Sequence, residues 1–170
     1  MSMKFSTRVV NALLTNIPIA IVLSFVATYI GMQGQPIPPE AFMGAYLHTV
    51  GINICLSYVI ATLIGIFIPL PLIGFKVCGA LGIKPSDGPK FGLVLNAVIN
   101  FFYVLILSPI LSYFNACVMN GAPIQAVIPG ALTSFIPCYI SAFIVAALWA
   151  QRAEGIARKI CNDPLPAEMQ

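Results

Sequence analysis

Asn16, Asn53, Asn96 and Asn100 stand inside long apolar stretches of this 170-residue chain. An amide in hydrocarbon is expensive unless it finds hydrogen-bond partners. Residues four apart share a helix face, and each asparagine belongs to a row at that spacing. The rows are Asn16, Ala20, Ser24, Thr28; Thr49, Asn53, Ser57, Ala61, Gly65; and Asn96, Asn100, Val104, Ser108, Ser112. A fourth row is Thr133, Pro137, Ser141, Val145. Such rows can do two things. Small side chains let helix backbones approach while Ser, Thr and Asn bond across the seam. Alternatively, the hydroxyls and amides line a hydrated path and replace a solute's water.

His48 is the single histidine, with Glu40 two helical turns before it and directly behind Pro38-Pro39. His48 is the one candidate for a pH-sensitive group near the membrane; otherwise it is an interfacial polar residue. Glu40 suits the first turn of a helix behind a proline. Catalytic sets are missing: there is no paired acid, no metal-spaced His or Cys cluster and no phosphate-binding loop. The five cysteines form no disulfide framework. Pro18, Pro109, Pro129 and Pro137 would each free a carbonyl four residues back, at Leu14, Leu105, Gln125 and Thr133.

The elements that carry these residues follow from charge. Hydrophobic residues make up 59% of the chain and charged ones 8%, too few to cover a water-facing surface. No formal charge occurs over Val9–Pro39, Ala41–Phe75 or Phe91–Gln151. A helix needs about 20 apolar residues to cross a bilayer. Four are expected: Val9–Gly31, Gly44–Ile68, Phe91–Cys117 and Gln125–Ala150. The first is read as an uncleaved helix, since its apolar run exceeds that of a signal peptide. All eight cations then fall on one side, in the N-terminus, the second connection and the C-terminus. The positive-inside rule puts that side and both termini in the cytoplasm. Pro69 and Pro71 stop the second helix, and the stretch up to Lys84 suits an interfacial segment. Pro85-Ser86-Asp87-Gly88-Pro89 reads as a hinge.

An 84-residue shift superposes Asn16 on Asn100, Ser24 on Ser108, Tyr29 on Tyr113, Pro39 on Pro123, Thr49 on Thr133 and Ser57 on Ser141. A repeat with an even number of spans must be parallel, its copies related by a pseudo-twofold along the membrane normal. Asn16 and Asn100 would then sit at one depth and could face each other. The stretches Leu23–Thr28 and Leu107–Ser112 carry a resemblance to uncharacterised bacterial membrane proteins built from a duplicated two-helix domain of unknown function. That resemblance implies a four-helix architecture and no activity.

The expected fold is thus an all-α membrane protein of four transmembrane helices in two repeats, residues 1–85 and 86–170. A bacterial inner membrane is its expected location. The expected function is permeation or export of a small uncharged or weakly polar solute, with a non-catalytic scaffold or anchoring subunit as the alternative. No enzyme activity, cofactor, metal or nucleic acid is expected. Expected partners are the lipid bilayer and either further copies of the chain or a membrane partner subunit.

Overall fold

The computed structural model describes residues 3–33 and 35–163. They form five α-helices and no strand: α1 Phe5–Met32, α2 Pro39–Phe67, α3 Leu70–Ala80, α4 Pro89–Tyr113 and α5 Val127–Ile160. Four segments are long and apolar enough to cross a membrane: α1, α2, Pro89–Met119 and Ile124–Ile160. These are the four expected spans with shifted ends.

The shifts have local causes. Pro39 occupies the first turn of α2 with Glu40 behind it, so the helix starts before Gly44. Only Pro69 breaks the chain after α2; Pro71 sits in the first turn of α3, where its missing N–H is harmless. The segment expected to be interfacial is therefore helix α3. It packs on α4 through Leu70, Gly74 and Cys78, one face at four-residue spacing. At Gly74 a Cβ would lie 2.5 Å from Leu95 Cδ1, so the two helices touch closely there. The fourth helix does not stop at Ala150. It runs ten residues further because nothing breaks it, and Ala153 and Ala157 are fully buried. After Tyr113, α4 widens into a π-turn over Phe114–Met119.

α1 packs along both α2 and α5, and α4 along α5, α3 and, more lightly, α2, whereas α1 and α4 scarcely meet. α1 and α4 thus occupy opposite corners. Their side chains Ile19, Leu23, Val104 and Leu107 fill the centre with Ala61 and Ile64 of α2 and Cys138, Ala142 and Ala146 of α5. Bulky residues point outward instead. Ile128, Leu132, Ile136, Ile140, Ile144 and Leu148 form one exposed row along α5, as lipid contact requires. At the end remote from the chain termini, Tyr46 stacks on Phe42 and meets Phe25 and Tyr29 edge-on. That cluster matches an interfacial aromatic belt.

The termini are tied together. α5 ends on Asn162 in the left-handed region, at φ 46°, and the Asp163 N–H bonds back to the Arg158 carbonyl. This turn delivers the Asp163 carboxylate to the start of α1, which has no cap of its own. There it accepts from the Lys4 N–H at 3.1 Å and from Thr7 Oγ1 at 2.8 Å. Lys4 Nζ donates to the Asn162 carbonyl, and Arg8 donates to the Ile66 carbonyl at the end of α2. The Thr7 and Lys4 bonds hold the Asp163 carboxyl below the usual carboxylate range.

Candidate functional site

The polar rows divide into two groups. The first is packed. Between α1 and α2, Ser24 and Ser57 hydroxyls are 3.1 Å apart, and Asn53 Nδ2 donates to Thr28 Oγ1 at 2.9 Å. All four residues are buried. Asn16 is buried beside Gly65, where a Cβ would stand 2.7 Å from the Tyr103 hydroxyl and 3.7 Å from Asn16 Nδ2. A side chain there would have to push the Tyr103 hydroxyl aside where α1, α2 and α4 meet. Between α4 and α5, Asn96 Nδ2 donates to the Phe143 carbonyl at 3.1 Å. Asn100 turns back along its own helix and donates to Asn96 Oδ1 at 2.7 Å. Among the described residues Asn100 makes no hydrogen bond with Asn16: its amide turns to Asn96, while Asn16 lies by Gly65 near the Tyr103 hydroxyl.

The expected row on the fourth helix is displaced. Its buried face carries Ser134, Cys138, Ala142 and Ala146, while Thr133 is exposed and Ser141 is turned away from that face. Ser108 accordingly meets Ser134 at 3.1 Å, two turns before Ser141. Pro18 lies inside α1, and the Leu14 carbonyl it frees accepts from Trp149 Nε1 at 2.9 Å. Pro129 falls in the first turn of α5 and frees no helical carbonyl.

The second group lines a cavity of about 330 Å³ at the end opposite the termini. All four long helices contribute. Thr28, Thr49, Ser108, Ser112 and Thr133 belong to the expected rows. The remainder carry no signal in the sequence rows: Gln35 before α2, Asn115 and Met119 in the π-turn, Asn120 after it, and Ser134. The π-turn has no sequence signature, so only its position behind Pro109 hinted at an irregular α4. Leu23, Val104, Leu107 and Cys138 close the cavity towards the middle of the bundle. Among the described residues no Asp, Glu, Lys, Arg or His lines it. His48 is exposed and outside it, on α2. Among the described residues no group of three or more His, Cys, Asp or Glu is placed to hold a metal.

Comparison with known protein families, curated proteins and solved structures finds no match to the chain. What the site can do rests on its chemistry alone. Among the described residues it offers hydroxyls and amides above an apolar floor, with no charged side chain in its wall.

Proposed function

We propose that this chain is a small multi-pass protein of a bacterial inner membrane that passes a small uncharged or weakly polar solute. The cavity carries this reading. Four membrane-length helices enclose it, its wall mixes hydroxyls and amides with apolar carbons, and it ends on a dry floor. Such a shape fits one occluded state of a path. Because the polar rows below the floor are packed, passage requires the helices to part around Leu23, Val104 and Leu107. Placing the cations in the cytoplasm makes the cavity face the outside.

A parallel two-repeat build, residues 1–85 and 86–170, accompanies this proposal. Ser24 and Ser108, 84 residues apart, each bond a serine on the following helix. Buried Leu70 and Gly74 stand 83 residues before buried Ala153 and Ala157. The row Ile128 to Leu148 favours a second reading: an anchoring subunit, or a homo-oligomer, whose partner helix lies along α5.

The test is solute flux into proteoliposomes. Glycerol, urea and acetamide are expected to enter faster than into protein-free vesicles. Leu107→Trp, which fills the floor, is expected to return the rate to that of empty vesicles. Equal rates with and without protein for all three would sink the permeation reading and leave the anchoring one.

A further inference from the structure

The cavity wall is biased towards accepting hydrogen bonds. Six hydroxyl side chains line it, and four of them spend their hydrogen within the protein. Thr49 donates to the Ala45 carbonyl at 2.9 Å and Thr133 to the Pro129 carbonyl at 3.0 Å, while Ser108 and Ser134, 3.1 Å apart, share one hydrogen bond and have the Ala131 and Gly130 carbonyls at 3.0 and 2.9 Å for the other hydrogen. A hydroxyl has one hydrogen and two lone pairs. Once the hydrogen is committed, acceptor capacity is what remains. Two amides at the mouth each commit one of their two N–H groups: Gln35 Nε2 donates to the Gly31 carbonyl at 2.9 Å, and Asn120 Nδ2 to the Asn115 carbonyl at 2.7 Å. Ser112 makes no hydrogen bond with any described residue. It stands where α4 approaches α5, its Oγ 3.5 Å from where a Cβ on Gly130 would lie.

We infer that the cavity selects small uncharged solutes bringing their own N–H or O–H donors, with Ser112, which bonds no described residue, placed to engage them. This rests on reading the cavity as a solute site. The geometry opposes the alternatives on simple grounds. A molecule that can only accept meets a wall already rich in acceptors. An anion meets lone pairs, and a cation gives up its hydration with no carboxylate to compensate.

Acetamide and acetone share size and shape and differ in the N–H donors, so they isolate the claim. The reporter is the full-length variant Ala45→Cys, whose position lines the cavity without contributing a polar group. It is reconstituted in nanodiscs and alkylated with N-ethylmaleimide, the rate at position 45 being read by tandem mass spectrometry against glutathione in the same solution. Acetamide is expected to slow alkylation saturably and acetone to leave it unchanged. Ser112→Ala in that background is expected to weaken acetamide protection about two- to tenfold, the effect of one neutral hydrogen bond. Ala116→Cys, on the facing wall, is read in parallel in case one reporter perturbs folding. Equal protection by acetone overturns the inference. So does protection by ammonium chloride but not acetamide, which marks a cation site. Labelling that no solute slows at either position also overturns it. Protection without vesicle flux keeps the donor-selective site and removes the permeation reading. Flux without any preference for acetamide over acetone in protection does the reverse.

Discussion

Replacing Trp149 by Phe removes one hydrogen-bond donor, and what that costs depends on a proline on another helix. Pro18 cannot bond the Leu14 carbonyl, so that carbonyl depends on Trp149 Nε1 at 2.9 Å. Within a membrane-spanning helix no bulk water replaces the donor. Inter-helix bonds in membranes contribute about 0.6 kcal/mol on average and up to about 1.7. Loss of indole volume adds about 1 kcal/mol more. Trp149→Phe is therefore expected to destabilise the protein by about 1.5–3 kcal/mol. Pro18→Ala changes the account, because the new backbone N–H can donate to the Leu14 carbonyl within α1. In that background the volume penalty stays and the bond term vanishes, so Trp149→Phe should cost about 0.6–1.7 kcal/mol less.

The assay is reversible unfolding of the four proteins in SDS–detergent mixtures, followed by far-ultraviolet circular dichroism. Circular dichroism is needed because Trp149 is the only tryptophan and the variant lacks it. An equal cost of Trp149→Phe in both backgrounds would refute the reasoning. The indole would then be a packing group whose bond to Leu14 is incidental.

Gly65→Ala should cost about 1–3 kcal/mol by overpacking, since its Cβ would stand 2.7 Å from the Tyr103 hydroxyl. Tyr103→Phe, which deletes that oxygen, should recover part of the loss in the same unfolding assay, and no recovery would place the clash elsewhere. Asp163 gives a pH prediction: a carboxyl held below its usual range stabilises fully above the ordinary value, and the contribution fades as pH falls through the lowered one. The thermal midpoint of the wild type should therefore drop in acid more steeply than that of Asp163→Asn, which starts lower at neutral pH; parallel curves would remove the latch. Cysteines placed at Lys84 and Arg158 should resist impermeant maleimide in intact cells, whereas one at Gln35 should label, and labelling at Arg158 would invert the proposed orientation.

The spans were legible because charges are so few that each marks an edge. That same rule misplaced the end of α5. A reading by hydropathy stops at Arg152, but helix continuation needs only that no residue break it. The small residues Ala153 and Ala157 bury against the bundle, Arg152 and Lys159 turn outward, and Arg158 pairs with Glu154 at 2.8 Å. The rows on α1, α2 and α4 were legible for a related reason. Polar residues are rare enough here that four-residue spacing is conspicuous. On α5 the rule failed because Thr133 and Ser134 are adjacent, and composition alone does not choose between two neighbouring helix faces. Ser134 faces α4 because small Cys138, Ala142 and Ala146 continue its row, whereas Thr133 heads one that passes through Pro137 and Val145. The place of the cavity was not legible, although several of its hydroxyls stand in those rows. It lies beside the turn where α4 relaxes into a π-helix, which has no sequence signature.

The two ends of the bundle are unequal in a way that bears on passage. At the end holding the termini, α1 is clasped on three sides. Asp163 takes its first amide and Thr7, Arg8 reaches the end of α2, and Trp149 takes the carbonyl that Pro18 frees. At the other end the described residues tie α1 to α2 alone, through Tyr46 to the Phe25 carbonyl and Asn53 to Thr28. The connections there lie beside a π-turn and an open cavity, and two of the cavity's hydroxyls, Thr49 and Thr133, bond only their own helices. Local opening begins where long-range bonds are fewest. On the permeation proposal, a solute would meet little resistance entering the cavity, and the barrier to leaving it would lie at the floor and in the clasped half beneath. If α1 moves, Pro18 is the place where it can bend without losing a helical bond it ever had. On the permeation proposal, the Trp149 bond is the contact such a bend would break.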